Sequence, residues 1–116
     1  MLLAFDTSTP STVVAVSGDD GALLCERRHD PAAGERPGHT TELLALAEDA
    51  LREAGGDWAA VRRLGVGVGP GGFTGVRVGL ATGLALAGAL EVETVPLLSL
   101  ELLARPHRGV PIVAVL

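Results

Sequence analysis

Leu2–Asp6, LLAFD, opens the chain with a continuous apolar run ending on an acid, the pattern of a strand buried on both faces. Thr12–Ser17, TVVAVS, is rich in β-branched residues and predicts a second strand. GDDG at Gly18–Gly21 is a tight-turn signal, and Ala22–Arg28, ALLCERR, predicts a third strand. The chain therefore begins as an antiparallel meander. Pro31–Gly38 is polar and rich in Gly and Pro, an exposed loop.

The period then changes from two to that of a helix. Over Thr40–Ala54, the residues Leu43, Leu46, Ala47, Ala50, Leu51 and Ala54 recur at the spacing of one helical face. Leu44 lies beside that stripe and widens it, Thr41 suits a cap, and Gly55-Gly56 stops the helix. Asp57–Arg63 predicts a short helical turn with Asp57 as N-cap and Trp58 packed inward. Leu64–Val68 reads as a strand, Gly69–Gly72 as a turn, and Phe73–Leu90 as a long apolar helix. Val92–Pro96 predicts a strand, Leu97–Ala104 a helix, and Pro111–Leu116 a last strand. Three strands followed by alternating helices and strands make an α/β layered domain. The last strand has no turn, cap or charged tail after it, so more chain is expected to follow.

Composition narrows this picture. The 116 residues suit one small domain, and 47% hydrophobic content is enough for a core. Aromatics are only 3%, so Val, Leu and Ala must build that core, with Phe5, Trp58 and Phe73 as the large fillers. The net charge of -5 and the absence of a Lys/Arg run argue against strong direct binding of nucleic acid. The lone Cys25 cannot form an internal disulfide, which fits a reducing compartment. MLLAFD carries no basic leader region. The longest uncharged apolar run, Val78–Leu90, has 13 residues where a membrane span needs roughly 20. A soluble, cytoplasmic protein without membrane contact is expected.

Seven glycines crowd Gly65–Gly79, GVGVGPGGFTGVRVG, although glycine weakens both helix and strand. Gly67–Gly72 matches the dinucleotide pattern G-x-G-x-x-G, with Glu91 and Glu93 further on. Three features speak against NAD: Gly67 reads as lying within its strand, Pro70 removes a donor, and three strands come first. No Lys-Ser/Thr follows, so it is not a Walker A loop either. From Gly71 onward, Gly71, Gly75, Gly79, Gly83 and Ala87 recur every four residues, a ridge without side chains. Such a ridge packs closely on the domain's own sheet or on a partner helix.

Asp6–Thr12, DTSTPST, is a second place for chemistry. Asp6, Thr7 and Ser8 could hold Mg²⁺ and phosphate oxygens, or simply satisfy turn backbone. His29, His39 and His107 are scattered, with no metal-ligand spacing. His39 is expected at the entry to the first helix. Arg77 either pairs with a carboxylate such as Asp6 or reaches an anion.

LLAFDTSTPSTVVAV, HTTELLALAEDAL, GVGVGPGGFTGVRVGLATGLALA and VETVPLLSLELLA together resemble the amino-terminal half of the TsaB (YeaZ) family. The GPGGFTGVRVG segment is the most specific, although the family's usual form has Ser where Gly72 stands. The resemblance implies an actin-like ATPase (ASKHA, RNase H-like) lobe, with a second lobe absent from these residues. It implies a non-catalytic dimerisation subunit in making N6-threonylcarbamoyladenosine at position 37 of tRNA. The catalytic partner would be a TsaD-type protein, with a TsaE-type ATPase. ATP and Mg²⁺ would be used by those partners, none bound by this chain alone, and tRNA reached only through the complex.

TsaD-type proteins carry an H-x-x-x-H metal motif where this chain reads Pro96–Leu102, so no catalytic metal is expected here, nor a protease. Asp6, Thr7 and Ser8 become a vestigial phosphate loop, and Gly69, Pro70, Gly71 and Gly72 the glycine turn. The family's dimerisation through its two long helices implicates Leu43, Leu46, Ala50, Gly75, Gly79 and Gly83, with a homodimer when alone. On that expectation Gly79→Leu abolishes association and leaves the circular dichroism unchanged. The alternative is a fragment of an active phosphotransferase that uses Asp6, Thr7 and Ser8 on ATP·Mg²⁺.

Overall fold

The computed structural model describes residues 1–107 together with 109, 111 and 113. Strands β1 (Leu2–Asp6), β2 (Thr12–Ser17) and β3 (Leu23–His29) form the expected antiparallel meander. Helix α1 (His39–Glu53) and a 3₁₀ turn at Trp58–Ala60 lead into β4 (Arg63–Gly67). Helix α2 (Phe73–Leu90), strand β5 (Glu93–Leu97) and helix α3 (Ser99–Ala104) follow. The sheet order is β3-β2-β1-β4-β5, with β4 parallel to both β1 and β5. The predicted last strand, 111–116, lies for the most part outside the described residues.

Register decides what the core contains. Leu3 stands between Val16 and Leu64, and Phe5 between Val14 and Val66, so six apolar side chains share one face. Leu43, Ala47, Ala50 and Leu51 of α1 cover the β2 side of that face, and Leu86, Ala87 and Leu90 of α2 close the β4 side. Each fully buried Leu, Val or Phe side chain among them stabilises the fold by about 1.5–3 kcal/mol. Because both long helices lie on this one face, β1 is not buried on both sides as its run predicts. Leu3 and Phe5 are buried, whereas Leu2 and Ala4 are half-buried.

Other expectations need local correction. Leu44 is 51% exposed and does not widen the packed stripe. Helix α1 begins at His39 with Gly38 as its N-cap; Thr41 sits in the first turn, and its hydroxyl donates to the Gly38 carbonyl at 3.1 Å. Asp57 does cap its turn, accepting from the Ala59 N–H, and Trp58 packs partly on the core. Phe73 is 75% exposed and fills no core. Helix α2 has 18 residues with mean hydropathy 1.5, long and apolar enough by length and composition to cross a membrane. The run that predicts otherwise is interrupted only by Arg77.

Candidate functional site

The β1–β2 loop, the β4–α2 turn and the first turns of α2 meet at one end of the sheet. Gly69, at φ +89, turns the chain out of β4, and its carbonyl accepts from the Ser99 N–H at 3.0 Å. The Gly72 N–H donates to the Ser8 carbonyl at 2.8 Å. A Cβ on Gly71 would stand under 3.0 Å from that Ser8 carbonyl. On Gly75 it would strike the Thr7 carbonyl, on Gly79 the Thr7 hydroxyl, and on Gly83 the Val66 side chain. The glycine ridge is therefore the contact between α2 and the domain's own β1–β2 loop and sheet. Steric exclusion of side chains, rather than backbone freedom, explains its four-residue period.

Thr7, almost fully buried, donates its hydroxyl to the Gly75 carbonyl at 2.6 Å. The carboxylate of Asp6 accepts from the Ser8 N–H at 2.7 Å and from the Ser99 hydroxyl at 2.6 Å. Asp6, Thr7 and Ser8 thus come together as expected, and in this structure their polar groups tie the loop to α2 and α3. Gly67 closes β4 rather than lying within it, so that ground against a dinucleotide site falls. Another replaces it: the Gly72 donor that a pyrophosphate would need is already bonded to Ser8. Glu93 stands in an ion pair with Arg63.

The interface residues proposed from the sequence face the wrong way for a partner. Leu43, Ala50, Gly75, Gly79 and Gly83 are buried against the domain's own sheet and loops, and Leu46 packs partly on the same core. The structure instead turns a different side of α2 outward. Phe73, Leu80 and Leu84 are 75%, 37% and 71% exposed. Arg77 lies between them, its guanidinium 5.0 Å from the Phe73 ring centre, a cation–π contact rather than a pair with Asp6. The spacing Phe73, Arg77, Leu80, Leu84 is itself a helical face. Reading that second stripe alongside the glycines would have found it.

His39 is the junction of these parts. Its ring is buried, and Nδ1 is 2.7 Å from the Thr12 hydroxyl, itself fully buried. The opposite edge of the ring lies over Gly75, where a Cβ would come within 3.1 Å of Nε2. Burial pushes His39 below the ordinary histidine range, a shift opposed by the Thr9 backbone and the Asp6 charge and aided by His29. His29, paired across from Thr12 at the end of β3, has a buried Nδ1 with no hydrogen-bond partner among the described residues. No three His, Cys, Asp or Glu side chains come together among the described residues.

Comparison with known proteins gives one consistent family. The model of TsaD, tRNA N6-adenosine threonylcarbamoyltransferase, matches residues 31–116. The tRNA threonylcarbamoyladenosine biosynthesis protein TsaB of Escherichia coli (strain K12) is 36% identical over 98 residues, covering 78% of this chain and 38% of that protein. YeaZ from Pseudomonas aeruginosa superposes with TM-score 0.80 at 37% identity, over 93% of this chain and 50% of that one. A second solved structure, described as a protein with similarity to peptidase YEAZ from Pseudomonas aeruginosa, superposes with TM-score 0.80 at 36% identity, over 93% and 48%. The chain spans less than half the length of the curated relatives it matches, 38% and 42%.

Proposed function

This chain belongs to the TsaB (YeaZ) family, and we propose that it is a non-catalytic docking subunit in making N6-threonylcarbamoyladenosine on tRNA. Its direct partner in this reading is a TsaD-type catalytic subunit, with a TsaE-type ATPase in the same assembly, in the cytoplasm. Alone, the same surface would join two copies. Transfer chemistry, ATP and Mg²⁺ belong to the partners, and tRNA is met only through the complex.

The observation that carries the reading is the outward face of α2. The helix already has a packing face, its glycines, yet it presents Phe73, Leu80 and Leu84 to solvent. Apolar side chains gathered on one exposed face mark contact with another protein. The non-catalytic part is supported by the β1–β2 loop, where Asp6 and Thr7 are engaged in holding α2 and α3.

An ATP-dependent phosphotransferase fragment using Asp6, Thr7 and Ser8 is the second reading. It is favoured by an open groove of about 970 Å³ beside Thr7, Ser8, His39 and the start of α2. Calorimetric titration with ATP·Mg²⁺ separates the two: the docking reading expects no measurable heat from this chain alone. Light scattering behind a sizing column, with the chain mixed with its matching TsaD-type protein, tests the docking itself. A peak at the summed mass is expected; separate peaks at every ratio tried would refute it.

A further inference from the structure

We propose that His39 is an acid-sensitive clasp: as a neutral ring it holds the start of α1 to the head of β2 and against the start of α2, and on protonation it lets the start of α1 detach.

Geometry makes the neutral ring the fitting form. His39 is the first residue of α1, where the helix dipole disfavours a positive charge. The start of α2, a second positive helix end, lies against the ring's other edge at Gly75. In a neutral imidazole one nitrogen donates and the other accepts, and the Thr12 hydroxyl can meet either at Nδ1. In the protonated ring both nitrogens donate. Thr12 must then accept, and the proton of its fully buried hydroxyl needs a new acceptor.

The surrounding charges do not supply a strong counter-ion. Asp6 of β1 is the favourable charge, and its two oxygens are already bonded to Ser8 and Ser99. His29 of β3 faces the same site, and its charge opposes a charge on His39. From β2 the ring meets Thr12, which does not titrate. On α1 itself, Glu42 stands one turn on, beside Gly38 and His29. Arg77, the charged residue of the first turns of α2, lies on the exposed side over Phe73. Arg36, in the loop before α1, lines the same groove as His39 and adds positive charge.

A histidine held below its ordinary value in the folded state stabilises that state when neutral. The contribution is complete above the ordinary value of about 6.5 and is lost as pH falls from there toward the lowered value. Loss is expected to begin where the clasp sits.

The test combines ring titration of the histidines by NMR with amide hydrogen exchange on the whole chain between pH 7.5 and 5. His39 is expected to titrate below the ordinary value. Protection factors over residues 38–44 and 72–76 should fall about tenfold for each unit of that lowering, while β1 and β4 keep theirs. In His39→Gln, which can still bond Thr12 but cannot charge, the local pH dependence should vanish. Ring titration of His39 at or above the ordinary value would overturn the proposal, as would an undiminished loss in His39→Gln. If that variant does not fold, the ring titration and the regional exchange of the unmodified chain decide alone.

Discussion

The two sides of α2 obey opposite rules. Inward, Gly75, Gly79 and Gly83 meet Thr7 and Val66 so closely that no side chain fits. Outward, Phe73, Leu80 and Leu84 project large apolar groups into solvent. An ordinary amphipathic helix puts its large apolar residues inside and its polar ones outside. Here large apolar residues point inward only at the end of the helix, at Leu86 and Leu90, because the space beneath its first turns is already filled by the β1–β2 loop and the sheet. The inner side is thus committed to the fold, and the outer side stays in solvent, where the proposed docking would use it.

Substitutions can break this contrast, and the largest effect is expected inside. Gly75→Leu drives a side chain into the Thr7 carbonyl, a backbone atom that cannot step aside. A loss of about 3 kcal/mol or more is expected, read as a fall in the urea midpoint. Gly79→Leu belongs to the same class. It should lower stability and alter the near-UV circular dichroism, so it cannot report on association alone. Unchanged stability in both variants would place the glycines elsewhere than on the loop.

Gly83→Ala is the milder inner change. Its neighbour is the Val66 side chain, at 2.7 Å from the added Cβ, and a side chain can yield in part. A loss of about 1–2 kcal/mol is expected by thermal or urea unfolding. Thr7→Val, which removes the hydroxyl bonded to the Gly75 carbonyl, should cost about 1 kcal/mol in the same measurement. The outer side should give the smallest change in stability: Leu84→Glu is expected within about 0.5 kcal/mol of the unmodified chain.

Much of the fold was legible in the sequence because local chemistry and tertiary structure agree there. β1, β2 and α2 begin and end at the residues their patterns predict. Bounds shifted by a residue or two where ends carry weak signals, as at β3 and β5. Helix α1 starts at His39, one residue before its pattern predicts, because Gly38, without a side-chain cap, opens it where Thr41 has the better credentials.

The site was less legible, for a physical reason. Periodicity groups residues into faces but does not say which face meets the sheet. Leu43 and Ala50 were correctly placed together, and Gly75, Gly79 and Gly83 likewise, yet both sets point into their own domain. Hydrophobicity alone points Phe73 to the core, and proximity points Leu44 to the packed stripe, yet both are exposed. The bonds of Asp6 to Ser99 and of Thr12 to His39 join residues far apart in sequence, which no local spacing reveals.

The most direct test of the two-sided helix compares Leu84→Glu with the unmodified chain, each mixed with the matching TsaD-type protein and followed by light scattering behind a sizing column. The substituted chain is expected to keep its unfolding midpoint and to lose the mixed peak. A mixed peak of undiminished size, with Leu84→Glu folded, would contradict this and remove the outward face of α2 from the docking surface.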